Sequence, residues 1–266
     1  MDDKQFGQLL EFFALSWSGY RRVRKGVKKR VRRHMQELGC RDVEEYIERI
    51  SRSEVIKAEC ELLMSVSISR FFRDQKLWEF LKEQILPEII GTGQDKIKVW
   101  SAGCACGEEV YSLKIVWELV QGSNHKRTEM EITATDLNPV NLQRAKDGIY
   151  PPSSLKEVPL DLRNSFFQAQ RGGKRFRIEP ALKSGIVWVE RDIFAGPPGA
   201  GYQLIFARNN LLTYFQKERI LPAMDQIFES LAAGGSLIIG SDEKLPMQTA
   251  VLKPRAALPY VFKKRT

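Results

Sequence analysis

The sequence predicts an α/β fold, a helical segment followed by a largely parallel sheet with helices on both faces. Three observations carry this reading. Residues 1–90 place their apolar side chains at helical spacing. From residue 96 onward, short apolar runs alternate with helical patterns. The first of those runs enters a turn of small residues, SAGCACG, directly ahead of a helix. At 266 residues the chain has room for one large domain or two unequal ones.

The elements follow in order. Leu9, Leu10, Phe12, Phe13 and Leu15 suit a first amphipathic helix. Tyr20 to Leu38 is the most charged stretch: from Arg21 to Arg33, nine of thirteen residues are Lys or Arg and none is acidic. Val23, Val27, Val31, Met35 and Leu38 form one apolar stripe, so Arg21, Lys25, Lys28, Lys29 and Arg32 fall on the opposite face. Gly39 stops that helix. Asp42 followed by Glu45 reads as a capping box, and Ser53 caps a further helix running to Met64. A helix with Trp78, Phe80, Leu81 and Ile85 is expected to end near Pro87, and GTGQD at 91–95 is a loop. Strands are then expected at 97–100, 131–135, 186–189, 204–207 and 236–240, with helices at 108–120, 139–146 and 217–231. Val261-Phe262 reads as an edge strand. Residues 150–185, with Pro151-Pro152 and a Gly172-Gly173 turn, interrupt the alternation and read as a small antiparallel insertion. The expected domains are therefore 1–90, helical and basic, and 91–266, α/β with the insertion.

Composition narrows the function classes. Apolar residues make up 43% and charged residues 28%, which excludes wholesale disorder. No stretch reaches the ~18 apolar residues of a membrane span, and the acidic start MDDKQFGQLLEFF lacks the charge order of a signal peptide. The expected location is cytoplasmic. Cys40, Cys60, Cys104 and Cys106 cannot build a dense disulfide framework at this length. With only His34 and His125 beside them, four ligands for a structural zinc are not evident, and no metal is expected. The net charge of +9 points to an acidic partner.

The chemistry concentrates at the strand–SAGCACGEE–helix element. Small residues there let a ligand approach the backbone, and a helix N-terminus offers unpaired N–H groups. Gly103 and Gly107 are followed at once by Glu108 and Glu109. Two carboxylates would repel a phosphate but suit a cationic group such as a sulfonium or an amine. Asp136, at the end of the second strand, is placed to bind ribose hydroxyls. S-adenosylmethionine satisfies all three demands. A lone Gly-x-x-x-Gly turn is weak by itself, and Asp136 is equally placed to cap a helix.

Several segments in order are more specific. SISRFFRD (67–74), VWSAGCACGEEVYSL (99–113), ATDLNPVNLQRAKDGIY (134–150) and LIFARNNLLTYF (204–215) resemble the CheR family of chemotaxis-receptor methyltransferases, as does LAAGGSLIIGSDE (231–243) more weakly. The resemblance implies a Rossmann-like class I methyltransferase domain bearing a small antiparallel β-subdomain, preceded by an all-α N-terminal domain. It implies methylation of glutamate carboxylates from S-adenosylmethionine, leaving S-adenosylhomocysteine. The implied cofactor contacts are Ser67, Ser69, Arg73, Glu109, Asp136, Asp192, Ile193, Ala207 and Arg208, to which the small-residue loop adds Gly103. Arg73 and Tyr214 match positions beside the methyl-transfer centre. The chain departs from the family pattern at Ala207, where Cys is usual, at Val110, where Pro is usual, and at Ser67 and Ser69, where Thr or Asn is usual. The basic helix would dock an acidic helical surface of a chemoreceptor through Lys25, Lys28, Lys29 and Arg32. The subdomain's tethering of a receptor peptide is not legible from the sequence. An RNA or DNA methyltransferase and a non-catalytic adaptor are the competing readings.

Overall fold

The computed structural model describes residues 1–122, 128–246 and 250–265. The chain divides into two compact units, one of residues 1–66 with 209–222 and one of residues 67–208 with 223–266. The expected boundary at residue 90 therefore differs from the division found. The reason is the helical stretch after residue 74, which packs on the sheet. Trp78 stacks on Phe206 at 6.1 Å, and Glu88 pairs with Arg255 at 2.6 Å.

The first unit contains α1 (Asp3–Phe12), α2 (Trp17–Tyr20), α3 (Arg24–Glu37), α4 (Val43–Arg52) and α5 (Glu54–Met64). Its core gathers Phe6, Leu9, Val27, Val31, Tyr46, Ile50 and Cys60. Fully burying a side chain of this size is worth about 1.5–3 kcal/mol, and this is what holds the highly charged α3 in place. The predicted stripe is present: Val27, Val31 and Met35 are buried, with Val23 and Leu38 packed against them. The opposite face differs from expectation at Lys28. Its ammonium lies 2.8 Å from Asp3 of α1, which also pairs with Arg24, so Lys28 has a partner within the fold. The sequence hid this because Asp3 is remote along the chain. Lys25, Lys29 and Arg32 are exposed. The Asp42 carboxylate caps α4 through the Glu45 amide, while Glu45 reaches back to the Arg41 amide rather than to that of Asp42, so the capping box is half formed. At the end of α5, the carbonyls of Leu63, Met64 and Ser65 accept from Arg30 and Tyr20.

In the second unit, α6 (Gln75–Phe80) runs through a π-helical turn (Leu81–Ile85) into α7 (Leu86–Gly91). This corrects the expected stop near Pro87. A proline lacks the amide hydrogen and crowds the carbonyl four residues earlier. The wider turn, in which the Leu86 amide donates to Leu81, accommodates it. There follow β1 (Lys96–Ala102), α8 (Glu108–Gln121), β2 (Glu129–Asp136) and α9 (Pro139–Asp147). The insertion comprises β3 (Ile149–Tyr150), α10 (Leu160–Phe166), β4 (Phe167–Gln170) and β5 (Arg175–Ile178), forming an antiparallel sheet in the order β3-β5-β4. Next come β6 (Ile186–Glu190) and β7 (Tyr202–Ala207). The chain then forms α11 (Leu211–Tyr214) in the first unit, α12 (Lys217–Ser230), β8 (Leu231–Ile239), β9 (Leu252–Arg255) and β10 (Leu258–Lys264).

The main sheet runs β6-β2-β1-β7-β8-β10-β9. The first five strands run parallel, β10 is antiparallel to β8, and β9 is antiparallel to β10. Val261 and Phe262 belong to β10, which lies between β8 and β9, so they are not at the edge. The edge on this side is β9, where Pro254 costs no ladder bond that a central strand would need. The strand order and the reversed β10 make this a doubly wound, Rossmann-like α/β sheet. The chain passes from β1 outward to β2 and β6, then crosses to β7 on the other side of β1. In such sheets ligands bind outside the carboxyl ends of the strands at this switch point. Ala102, Asp136 and Ala207 close the strands there.

Candidate functional site

The loop after β1 is built from left-handed backbone. Gly103, Ala105 and Gly107 have φ of +79°, +48° and +85°. The Gly103 and Cys104 amides both donate to the Thr135 carbonyl at 2.8 Å, pinning the loop to the end of β2. Gly107 is required twice over. Its φ disfavours any L side chain, and an added Cβ would lie 2.8 Å from the Ala145 Cβ and 2.9 Å from the Trp188 ring. Ala105 holds its unfavourable conformation because its amide donates to the Asp136 carboxylate at 2.9 Å.

Asp136 is the hub. Among the described residues, Oδ1 accepts from the Asn138 amide at 2.9 Å and from Asn141 Nδ2 at 3.1 Å, while Oδ2 accepts from the Ala105 amide. A carboxylate offers about four acceptor positions, so one remains on Oδ2. The cap of α9 is Asn138, which receives the Val140 amide, rather than Asp136. Burial pushes the Asp136 carboxyl up from its ordinary range, and its three donors oppose that.

The double glutamate divides its work. Glu109 accepts from the Ser101 hydroxyl at 2.9 Å and from Arg208 at 3.2 Å. Arg208, its side chain 4% exposed, also lies 3.6 Å from Asp74 and donates to the Arg73 carbonyl. Arg208 is thus the counter-ion of Glu109 and Asp74. Glu108 is buried, accepts from Ser154 at 3.2 Å and is hydrogen-bonded by Ser69. Among the described residues its Oε2 has no hydrogen-bond partner, and burial raises its carboxyl above the ordinary value.

Residues 67–74 are strapped to this framework at both ends. Ser67 accepts from Asn141 Nδ2 at 2.7 Å. The Phe71 amide donates to Ser154, and the Phe72 amide to Ser112. Phe71 packs edge-on against Tyr150 and Phe167, which places that aromatic in the core. Phe72 and Asp74 flank Arg73 with φ of +52° and +70°. Non-glycine residues held there cost of order 1–3 kcal/mol each and cluster at functional sites. Arg73 itself is half-buried, and its carbonyl receives the Trp78 indole.

The remaining expected residues are placed as follows. Asp192 caps the short turn Ile193–Ala195 through the Phe194 amide at 3.0 Å. Ala207 is buried at the end of β7. Tyr214 lies in the first unit, its ring 5.2 Å from that of Tyr20. All four cysteines are free thiols, and burial raises those of Cys104 and Cys106. Among the described residues no three His, Cys, Asp or Glu side chains converge as a metal site, and His125 lies outside the described residues. Hydrogen bonds and ion pairs thus form three sets: Ser67 with Asn141, Asp136 and Ala105 of the loop; Ser69 with Glu108 and Ser154; and Arg73 with Arg208, Glu109 and Asp74. The joining groups Asn141, Asp74 and Ser154 escaped the sequence reading, which named Glu108 only as half of the double glutamate. A buried asparagine inside a helix is the one local signal that marks Asn141.

A family profile described as "CheR methyltransferase, SAM binding domain" matches residues 67–260. This chain belongs to the CheR methyltransferase family. The "Chemotaxis protein methyltransferase" of Listeria monocytogenes is 33% identical over 201 residues, 76% of this chain and 74% of that one. "Chemotaxis protein methyltransferase 1" of Pseudomonas aeruginosa is 28% identical over 230 residues, 82% and 81% of the two chains. S-adenosylmethionine is the cofactor of this CheR domain, and the residues present fit it. The open acceptor position on Asp136 suits a ribose hydroxyl, and the carboxylates around the loop suit a positively charged group. The protein is an S-adenosylmethionine-dependent methyltransferase. Among the described residues no helix is long and apolar enough to cross a membrane.

Proposed function

We propose that this CheR protein is a protein-glutamate O-methyltransferase acting on a chemoreceptor or a related signalling protein, in the cytoplasm. The observation that carries the reading is the CheR match over 67–260, and relatives named as chemotaxis protein methyltransferases support it. The cofactor, when bound, supplies an electrophilic methyl group on a sulfonium. In the proposed site Asp136 holds the ribose, Glu109 faces the cationic portion, and Ser67, Ser69, Gly103, Asp192, Ile193 and Ala207 line the pocket. Arg208 fixes Glu109 as its counter-ion. Arg73 steers a carboxylate, either the methionyl group or the incoming glutamate, and the Tyr214 hydroxyl orients the acceptor. A glutamate acceptor is already ionised at pH 7, so no base need remove a proton. Positioning supplies the rate, and well-oriented groups recover about 7–11 kcal/mol of barrier.

The partner reading rests on α3. Lys25, Lys29 and Arg32 present an exposed basic face to an acidic helical surface, without Lys28. Binding should weaken as salt rises, since exposed charges are screened within about 8–10 Å. The direct test uses labelled S-adenosylmethionine with the cytoplasmic fragment of a glutamate-bearing chemoreceptor. Methyl groups released as methanol by base, and lost when the receptor glutamates are replaced by alanine, are the expected result. A base-stable methyl group transferred to RNA, or cofactor binding without any turnover, would overturn the proposal.

A further inference from the structure

Asn141 was not among the residues that the sequence singled out, yet it joins two of them. It sits in the first half of α9 and is 5% exposed. Its Nδ2 donates to Ser67 Oγ at 2.7 Å and to Asp136 Oδ1 at 3.1 Å. On its other side, the Cys106 thiol donates to Oδ1 at 3.6 Å. The amide's two N–H groups thus have two acceptors and its oxygen has a donor, and this set determines which way the carboxamide faces.

We infer that Asn141 is a positioning residue for the cofactor's ribose, acting through Asp136 and Ser67. The inference rests on the placement of the cofactor proposed above. The Asn138 amide and Asn141 together fill Oδ1 of Asp136, so a ribose hydroxyl is directed to Oδ2. Ser67 is exposed, and its hydroxyl would rotate freely without a partner. By donating to Ser67 Oγ, Asn141 leaves that hydroxyl's own hydrogen to point elsewhere. The same amide therefore sets the acceptor on Asp136 and the donor on Ser67. It also ties the start of the 67–74 segment, which carries Arg73, to the carboxylate that holds the ribose. Cys106 serves the arrangement from behind. Its thiol keeps the amide from flipping, and burial keeps that thiol protonated.

The test is calorimetric titration with S-adenosylhomocysteine and with its 2′-deoxy and 3′-deoxy analogues. The wild type, Asn141→Ala, Ser67→Ala and the double variant are compared, with melting curves confirming that each is folded. Asn141→Ala is expected to weaken S-adenosylhomocysteine about 10–100-fold, by analogy with the loss when a group orienting a metal ligand is removed. The loss should shrink for at least one deoxy analogue, because the missing hydroxyl no longer needs orienting. A purely structural role would weaken all three ligands by one factor. Ser67→Ala removes an exposed hydroxyl and should fold whatever Asn141→Ala does, with a smaller loss that does not add to that of Asn141→Ala. In turnover, Asn141→Ala should raise KM for S-adenosylmethionine more than it lowers kcat. Equal losses for all three ligands, or affinity within twofold of wild type, overturns the inference while leaving the cofactor site standing. A wild-type protein that binds no S-adenosylhomocysteine overturns both.

Discussion

Replacing Arg208 by methionine removes the cation that pairs with both Glu109 and Asp74. The guanidinium lies 3.2 Å from Glu109 and 3.6 Å from Asp74, and its side chain is 4% exposed. Breaking a buried pair by deleting one partner costs about 3–5 kcal/mol, because an uncompensated charge stays behind. A unit of this size loses about 2–4 °C of melting temperature per kcal/mol. Arg208→Met should therefore melt about 6–20 °C lower. Differential scanning calorimetry reads this directly. Adding Asp74→Asn and Glu109→Gln removes the stranded charges and should restore most of the stability. It should not restore S-adenosylhomocysteine binding, since Glu109 is then neutral. A drop below about 2 °C for the single variant would show the cluster behaving like exposed ion pairs, worth about 0–1 kcal/mol, and not like a buried one.

Glu108→Gln tests the buried carboxyl. Burial raises the Glu108 carboxyl above its ordinary 4.5, so its contribution to stability is full below that value and is lost as pH rises through the folded value. Glu108→Gln should melt above wild type at pH 7, with the gap closing below pH 4.5; a constant gap across pH would contradict it. Gly107→Ala forces φ of +85° on a side chain and drives its Cβ within 2.8 Å of Ala145. The left-handed conformation costs about 1–2 kcal/mol and overpacking about 1–3 kcal/mol more. Lower thermal stability together with lost S-adenosylhomocysteine binding is expected, and wild-type values in both would argue against the loop's role.

The parallel core strands, the main helices between them and the cofactor loop were legible in the chain, whereas β9, α10 and α11 were not. What was legible is written in local patterns: the four-residue stripe of α3, the apolar runs of β1, β2 and β7, and small residues ahead of two glutamates. The sequence also placed Asp136 at the end of β2, where a strand's final residue faces the crevice. Tertiary structure decided which charges are satisfied and by whom. Lys28 meets Asp3, Arg208 meets Glu109 and Asp74, and Asn141 bridges Asp136 to Ser67. These partners lie far apart in the chain or across a turn, and no local periodicity encodes them. The helix continuing through Pro87 and the interior position of β10 were likewise settled by packing, through a π-turn in one case and the β8 and β9 ladders in the other. A side chain's type and spacing are local properties of the chain. The partner that neutralises a buried charge is a property of the folded surface it meets.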